Sequence, residues 1–89
     1  MEKYVRTNKN ISSKIEDEIV MVDVDLGKYF TLNAVASSIW ELVEKPMTME
    51  EIVQKLMEEY DIDHDTCISE TKSFIDELME LGLIEISNE

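Results

Sequence analysis

The chain is poor in the residues from which small proteins build covalent or metal-held frameworks. It has one cysteine, Cys67, and one histidine, His64, among 89 residues. A lone cysteine excludes an internal disulfide and suits a reducing compartment, so the expected location is the cytoplasm. Structural zinc wants four Cys or His ligands, more than these two residues supply. The two glycines, Gly27 and Gly82, cannot build a phosphate-cradling loop. Basic residues are scarce, with 8 Lys and Arg against 21 Asp and Glu and a formal net charge of -13. Phosphate groups would meet repulsion, so nucleic acid and anionic membrane are poor partners. No run approaches the roughly 18 consecutive apolar residues of a membrane span. The opening MEKYVRTNKN also lacks the apolar stretch of a signal peptide.

What is present is enough for a core. Apolar residues make up 44% of the chain, close to the globular average, and the length suits one domain. Residues 1–10 read as a loose polar segment with Tyr4 and Val5 as anchors, ahead of a single domain over 11–89. ISSKIE (11–16) forms a first strand and EIVMVDVD a stronger second one over about 18–24. In the second, Val20, Val22 and Val24 share one face and Met21, Asp23 and Asp25 the other. DLG (25–27) is turn chemistry, with Gly27 free to take positive φ. KYFTL (28–32) is a third strand, with Phe30 and Leu32 on one face and Tyr29 and Thr31 on the other. Short connections predict a three-stranded antiparallel meander whose third strand lies at an edge.

At Asn33 the period changes from strand to helix. Asn33 is a good N-cap for a helix over about 34–44, whose apolar side is Val35, Ala36, Ile39, Trp40, Leu42 and Val43. Pro46 ends it. TMEE (48–51) is a capping box opening a second helix over about 49–60, with Ile52, Val53, Leu56, Met57 and Tyr60 buried. Asp63 caps a third over about 64–81, and Gly82 stops it. LIEI (83–86) alternates like a short last strand. In the third helix Cys67, Thr71, Phe74, Leu78 and Leu81 make a core stripe, while Ile68, Lys72, Ile75 and Met79 lie beside it. That apolar surface is wider than one stripe needs, and it reads either as extra core or as the wall of a groove.

Reactive chemistry is hard to find. His64 and Cys67 stand three apart at the start of the third helix, but without a third group a Cys–His pair is weak evidence for a nucleophile. They read more simply as an exposed histidine and a small core cysteine. DIDHD (61–65) has the acid spacing of a calcium loop but lacks its glycine and carries Lys72 at the twelfth position, where a glutamate belongs. The remaining carboxylates fall mostly on outer helix faces, where a solvated surface is the simpler reading than an acid–base pair. No catalytic centre, metal or cofactor is expected. Helix, turn, helix and a final strand suggest an α+β, winged helix-turn-helix-like fold. The candidate recognition helix, however, carries Asp65, Glu70, Asp76, Glu77 and Glu80 against Lys72 alone, which argues against DNA.

One longer pattern joins these pieces. GKYFTLNAVASSIWELVEKPMTMEEIVQKLMEEYDID, followed by FIDELMELGLI, resembles the PqqD family, small recognition proteins of ribosomal-peptide biosynthesis also called RiPP recognition elements. The pattern spans about residues 11–86. It consists of an aromatic strand, then LN, then an IWEL helix, then a capped helix ending in EEY, then F..EL...GLI. Within the family the likeness is to stand-alone leader-binding proteins of lasso-peptide clusters. One departure is the IED turn (15–17), which has no glycine where a first hairpin often carries one.

The resemblance implies three strands packed on three helices, no catalysis and no cofactor. It implies that the leader segment of a precursor peptide adds as a strand to the open edge of the third strand, in the cleft beside the third helix. The protein would then deliver that peptide to a maturation enzyme, a leader peptidase or a radical-SAM enzyme. Carried onto this chain, the edge is Lys28, Tyr29, Phe30, Thr31 and Leu32, and the wall is Ile68, Thr71, Lys72, Ile75 and Met79. Tyr29 reads equally as a groove residue or an exposed aromatic on the sheet face. The rival reading is a winged-helix regulatory or protein-interaction domain with no part in peptide maturation.

Overall fold

The computed structural model describes residues 2–7, 11–15, 18–23 and 27–87. In chain order the elements are β1 (Lys3–Arg6), β2 (Ile11–Ile15), β3 (Glu18–Asp23), β4 (Lys28–Leu32), α1 (Ala34–Leu42), α2 (Met49–Glu59), α3 (His64–Glu80) and β5 (Ile84–Ser87). The helices begin where the sequence predicts and end one or two residues earlier. Glu16 and Val24, assigned to the ends of the first two strands, lie outside the described residues, as do Asp17 of the IED turn and Asp25.

The strands are divided between two sheets and are not all gathered at the N-terminus. One sheet runs β2-β3-β4 and the other pairs β1 with β5. All pairings are antiparallel, with Ile11↔Val22 and Ile15↔Glu18 in the first hairpin and Ile19↔Leu32 and Asp23↔Lys28 in the second. The first ten residues, read from the sequence as loose, thus contribute a strand. Tyr4 is held by reciprocal backbone bonds with Met47 of 2.7 and 3.0 Å, and Thr7 donates its hydroxyl to the Gly82 carbonyl at 2.8 Å. Arg6 lies over the Trp40 ring, 5.1 Å from its centroid, and its backbone N–H donates to the Val43 carbonyl. These partners are far away in sequence, so a polar KYVR segment gains its strand from contacts that no local pattern announces.

Each helix is bounded by the chemistry of its ends. Asn33 accepts from the Ala36 N–H at 2.8 Å. Thr48 and Glu51 exchange hydrogen bonds of 3.2 and 2.9 Å in a complete capping box, and Asp63 accepts from the Thr66 N–H at 3.0 Å. After α3, Gly82 turns to φ +77°, which spares it the Cβ clash of other residues. The Gly82 N–H then donates to the Met79 carbonyl and the Leu83 N–H to the Leu78 carbonyl. This is a Schellman stop, and it sends Leu83 into the core.

Trp40, Met21, Ile39, Ile52, Leu56, Ile75 and Leu83 are the largest fully buried side chains. Ile19 and Met21 are the buried residues of β3, while Val22 is 39% exposed, so the valine face looks outward. Met57 is likewise 39% exposed and does not join Ile52, Val53 and Leu56 in the core. Ser37 is buried among these apolar groups. Its hydroxyl accepts from the Ile19 N–H at 3.2 Å and donates to the Leu32 carbonyl at 3.1 Å, joining α1 to the last rung between β3 and β4.

Replacing Ser37 with alanine removes this bridge and leaves two buried backbone groups without it. A loss of about 1–3 kcal/mol is expected, read in urea as a lower midpoint with an unchanged slope. An unchanged midpoint would mean that Ile19 and Leu32 close up and bond directly. The caps predict a pH effect as well. Hydrogen bonds from the Thr48 backbone and side chain hold the Glu51 carboxyl below its ordinary value, and those from Thr66 do the same for Asp63. In acid the unfolded chain therefore binds protons more readily at these positions. Their contribution is complete above the ordinary carboxyl range and is lost as pH falls through the lower folded values. The stability advantage of wild type over a Glu51→Gln, Asp63→Asn double variant should narrow below about pH 4.

Candidate functional site

Among the described residues β4 pairs on one side only, with β3. The Ser37 bridge shows which backbone groups face that partner. Because one hydroxyl spans the Ile19 N–H and the Leu32 C=O, those two groups point toward each other. Antiparallel ladders alternate between residues that bond across and residues that turn their groups away. With Ile19↔Leu32, Met21↔Phe30 and Asp23↔Lys28 facing, the intervening Tyr29 and Thr31 aim their N–H and C=O groups at the open edge. Their partners across the sheet, Val22 and Val20, aim theirs at β2.

Beside the C-terminal end of this edge lies a depression of about 220 Å³ between the sheet and two helices. Thr31 and Leu32 come from β4, Ala36 from α1, and Phe74, Glu77 and Leu81 from α3. A second hollow, also bordered by Asn33, Ala36, Phe74 and Glu77, extends along α1 and α3 as far as Ser69. The Asn33 cap starts α1 immediately after β4, bringing the helix N-terminus to the end of the open edge. The lining combines half-buried apolar side chains with the carboxylates Glu70 and Glu77.

The residues assigned to the site from sequence are placed unevenly. Tyr29 is 75% exposed and Thr31 is exposed, while Leu32 is buried. Lys28 and Phe30 are described for their backbone only. On α3, Thr71 is 0% and Ile75 1% exposed, so both belong to the core and present nothing to a groove. The Thr71 hydroxyl is buried without a hydrogen-bond partner among the described residues. Ile68 and Met79 are half-buried and Lys72 is exposed, but none of the three borders the hollows beside β4. The helix flank that meets the strand carries Phe74, Glu77 and Leu81. Relative to the predicted wall, which centres near Ile68, this is a turn of roughly 140° at about 100° per residue. Periodicity marked Phe74 and Leu81 as apolar but counted them as core. Their half-exposure depends on which neighbours surround α3.

Cys67 is buried, with its sulfur 3.9 Å from the Val53 carbonyl, whereas His64 is exposed and lies 3.7 Å from Asp65. Among the described residues no group of three metal-ligating side chains forms, and no helix is long and apolar enough to cross a membrane. An open strand edge beside an apolar hollow is instead suited to receiving an extended peptide, the edge supplying hydrogen bonds and the hollow a place for side chains.

The family model for Coenzyme PQQ synthesis protein D (PqqD) matches residues 18–84. The solved structure of TbiB1 in complex with the TbiA(beta) leader peptide is similar at 34% identity and a TM-score of 0.81, covering 91% of this chain and 94% of that one. A lasso peptide synthetase B1 complexed with the leader peptide shares the fold, with 18% identity, a TM-score of 0.79 and coverage of 92% and 96%. No curated protein sequence matches.

The orientation of β4 can be read in solution by hydrogen exchange. The Phe30 amide should be protected, while those of Tyr29 and Thr31 exchange fast, because theirs face the open edge. Protection of Tyr29 and Thr31 with a fast Phe30 would reverse the assignment.

Proposed function

The chain belongs to the PqqD family, and on that premise we propose that it is a non-enzymatic adaptor for the leader segment of a ribosomally synthesised precursor peptide. The leader adds as a strand alongside β4, taking its backbone bonds from Tyr29 and Thr31. Its side chains enter the hollow toward Phe74, Glu77 and Leu81. The observation that carries this reading is the β4 edge, unpaired among the described residues, beside that hollow, and a neighbour of similar sequence is itself a leader-peptide complex. The adaptor then presents the precursor, of the lasso-peptide kind, to a separate maturation enzyme in the cytoplasm, a leader peptidase or a radical-SAM enzyme. The winged-helix likeness serves here as a scaffold for a strand edge. The single domain needs no cofactor.

Physical economy supports strand addition. Backbone bonds accept many sequences, so affinity makes little demand on side chains, and the hollow supplies the choice. The carboxylates of Glu70 and Glu77 favour a leader with lysine or arginine near the hollow.

An NMR titration of labelled protein with the leader segment encoded beside its gene tests the reading. Saturable shifts are expected over residues 28–32 and at Ala36, Phe74, Glu77 and Leu81. Proline at Tyr29 or Thr31 removes an outward N–H, and each variant should stay folded and bind at least tenfold more weakly, a change of about 1.4 kcal/mol. Unchanged affinity in both would exclude strand addition at this edge. Shifts confined to Ile68, Lys72 and Met79 would move the peptide to the other flank of α3.

A further inference from the structure

A second groove lies on the other side of α3, between that helix and α2. Its floor is apolar. Met49, Val53 and Met57 recur every four residues along α2 and form one ridge. His64 and Ile68, also four apart, form the facing side on α3. The volume is about 530 Å³, close to that of the second hollow along α1 and α3. Met57 is 39% exposed here, although its place in the helical pattern is a core place.

Beside the apolar ridge runs a polar one, Glu50, Gln54 and Glu58, with the same four-residue spacing. No lysine or arginine lines the groove among the described residues: Lys55 lies on the opposite face of α2, and Lys72, one turn beyond Ile68 on α3, lies outside the lining. An occupant therefore meets an apolar valley with carboxylates along one bank. Methionine side chains at such a surface adapt to differently shaped partners. A valley between two helices, with ridges repeating at helical spacing, accepts a third helix.

We propose that the α2–α3 groove docks a basic amphipathic helix of a partner protein. Its apolar side chains lie on Met49, Val53 and Met57, and its lysines or arginines meet Glu50 and Glu58. This surface is separate from the strand edge. Ile68 lies about 120° around α3 from Phe74, as their six-residue separation requires. A guest on one flank leaves the other open, so the chain can hold two partners at once. The inference stands on the groove itself and does not depend on what β4 binds.

The probe is a designed amphipathic helix of leucine and lysine, titrated into methyl-labelled full-length protein. Its counterpart with glutamate in place of lysine is the control. Saturable shifts are expected at the methyls of Met49, Val53, Met57 and Ile68, and the glutamate peptide should not bind. Met57→Lys and Glu58→Lys, both at exposed positions, should each weaken binding by at least about tenfold. Glu80→Lys, an exposed acid outside the groove, should change it by less than about twofold. Equal losses from Glu58→Lys and Glu80→Lys, or shifts spread over the whole acidic surface, would reduce the effect to general charge attraction and overturn the proposal. So would concentration-dependent shifts at the same methyls without peptide, which would make a second copy of the chain the occupant.

Discussion

One buried hydroxyl determines how the sheet meets the helices. Ser37 sits in α1, yet both its hydrogen bonds go to strand backbone, one to β3 and one to β4. A polar group in an apolar interior is tolerated when donor and acceptor are both used, and here that use joins three elements at one point. The alternation of the ladder follows from this rung. It turns the groups of Lys28, Phe30 and Leu32 inward and those of Tyr29 and Thr31 outward. Shifting β4 by one residue would put the opposite groups at the edge and exchange its two faces, carrying Leu32 out of the core. The outward edge and the buried face are thus one choice.

An open edge is also a hazard, because any strand can complete it, including that of another copy. The charge of the chain bears on this. At a formal -13, two copies repel as they approach, while a neutral or basic peptide does not. The acidic surface therefore has a use beyond solubility. It discourages edge-to-edge pairing without blocking the edge with proline. Within the same coat, carboxylates beside an apolar hollow differ from carboxylates on a plain helix face. Only the former combine charge preference with buried area for a guest.

Local signals were legible in the sequence. Asn33, Thr48 with Glu51, Asp63 and Gly82 each act within a few residues of themselves, and each does in the structure what its chemistry predicts. Alternation located KYFTL as a strand for the same reason. Less legible was everything decided by distant neighbours. β1 forms because Tyr4 meets Ile86 and Met47, separations that no window along the chain contains. The valines of β3 look outward because Met21 and Ile19 fit the core, and alternation alone gives two faces without saying which is buried. On α3 periodicity found the stripe but not its surroundings. Ile75 lies in the centre of the core, and the flank beside β4 belongs to Phe74 and Leu81. A helical wheel gives angles between side chains. It does not give the side on which the next layer sits.

The division of labour at β4 explains why such a site leaves little trace in side-chain chemistry. The outward backbone groups belong to Tyr29 and Thr31, but their side chains are exposed and stand roughly perpendicular to the direction in which those groups point. Many residues could occupy both positions and keep the edge, and only proline would remove a donor. At the proposed site the side chains are inconspicuous, because strand addition would draw on the main chain. What marks the site instead is geometry: a strand paired on one side, a cap that starts a helix immediately after it, and an apolar flank of α3 left partly uncovered beside it. Recognition by such a surface asks of its partner an extended backbone first and particular side chains second.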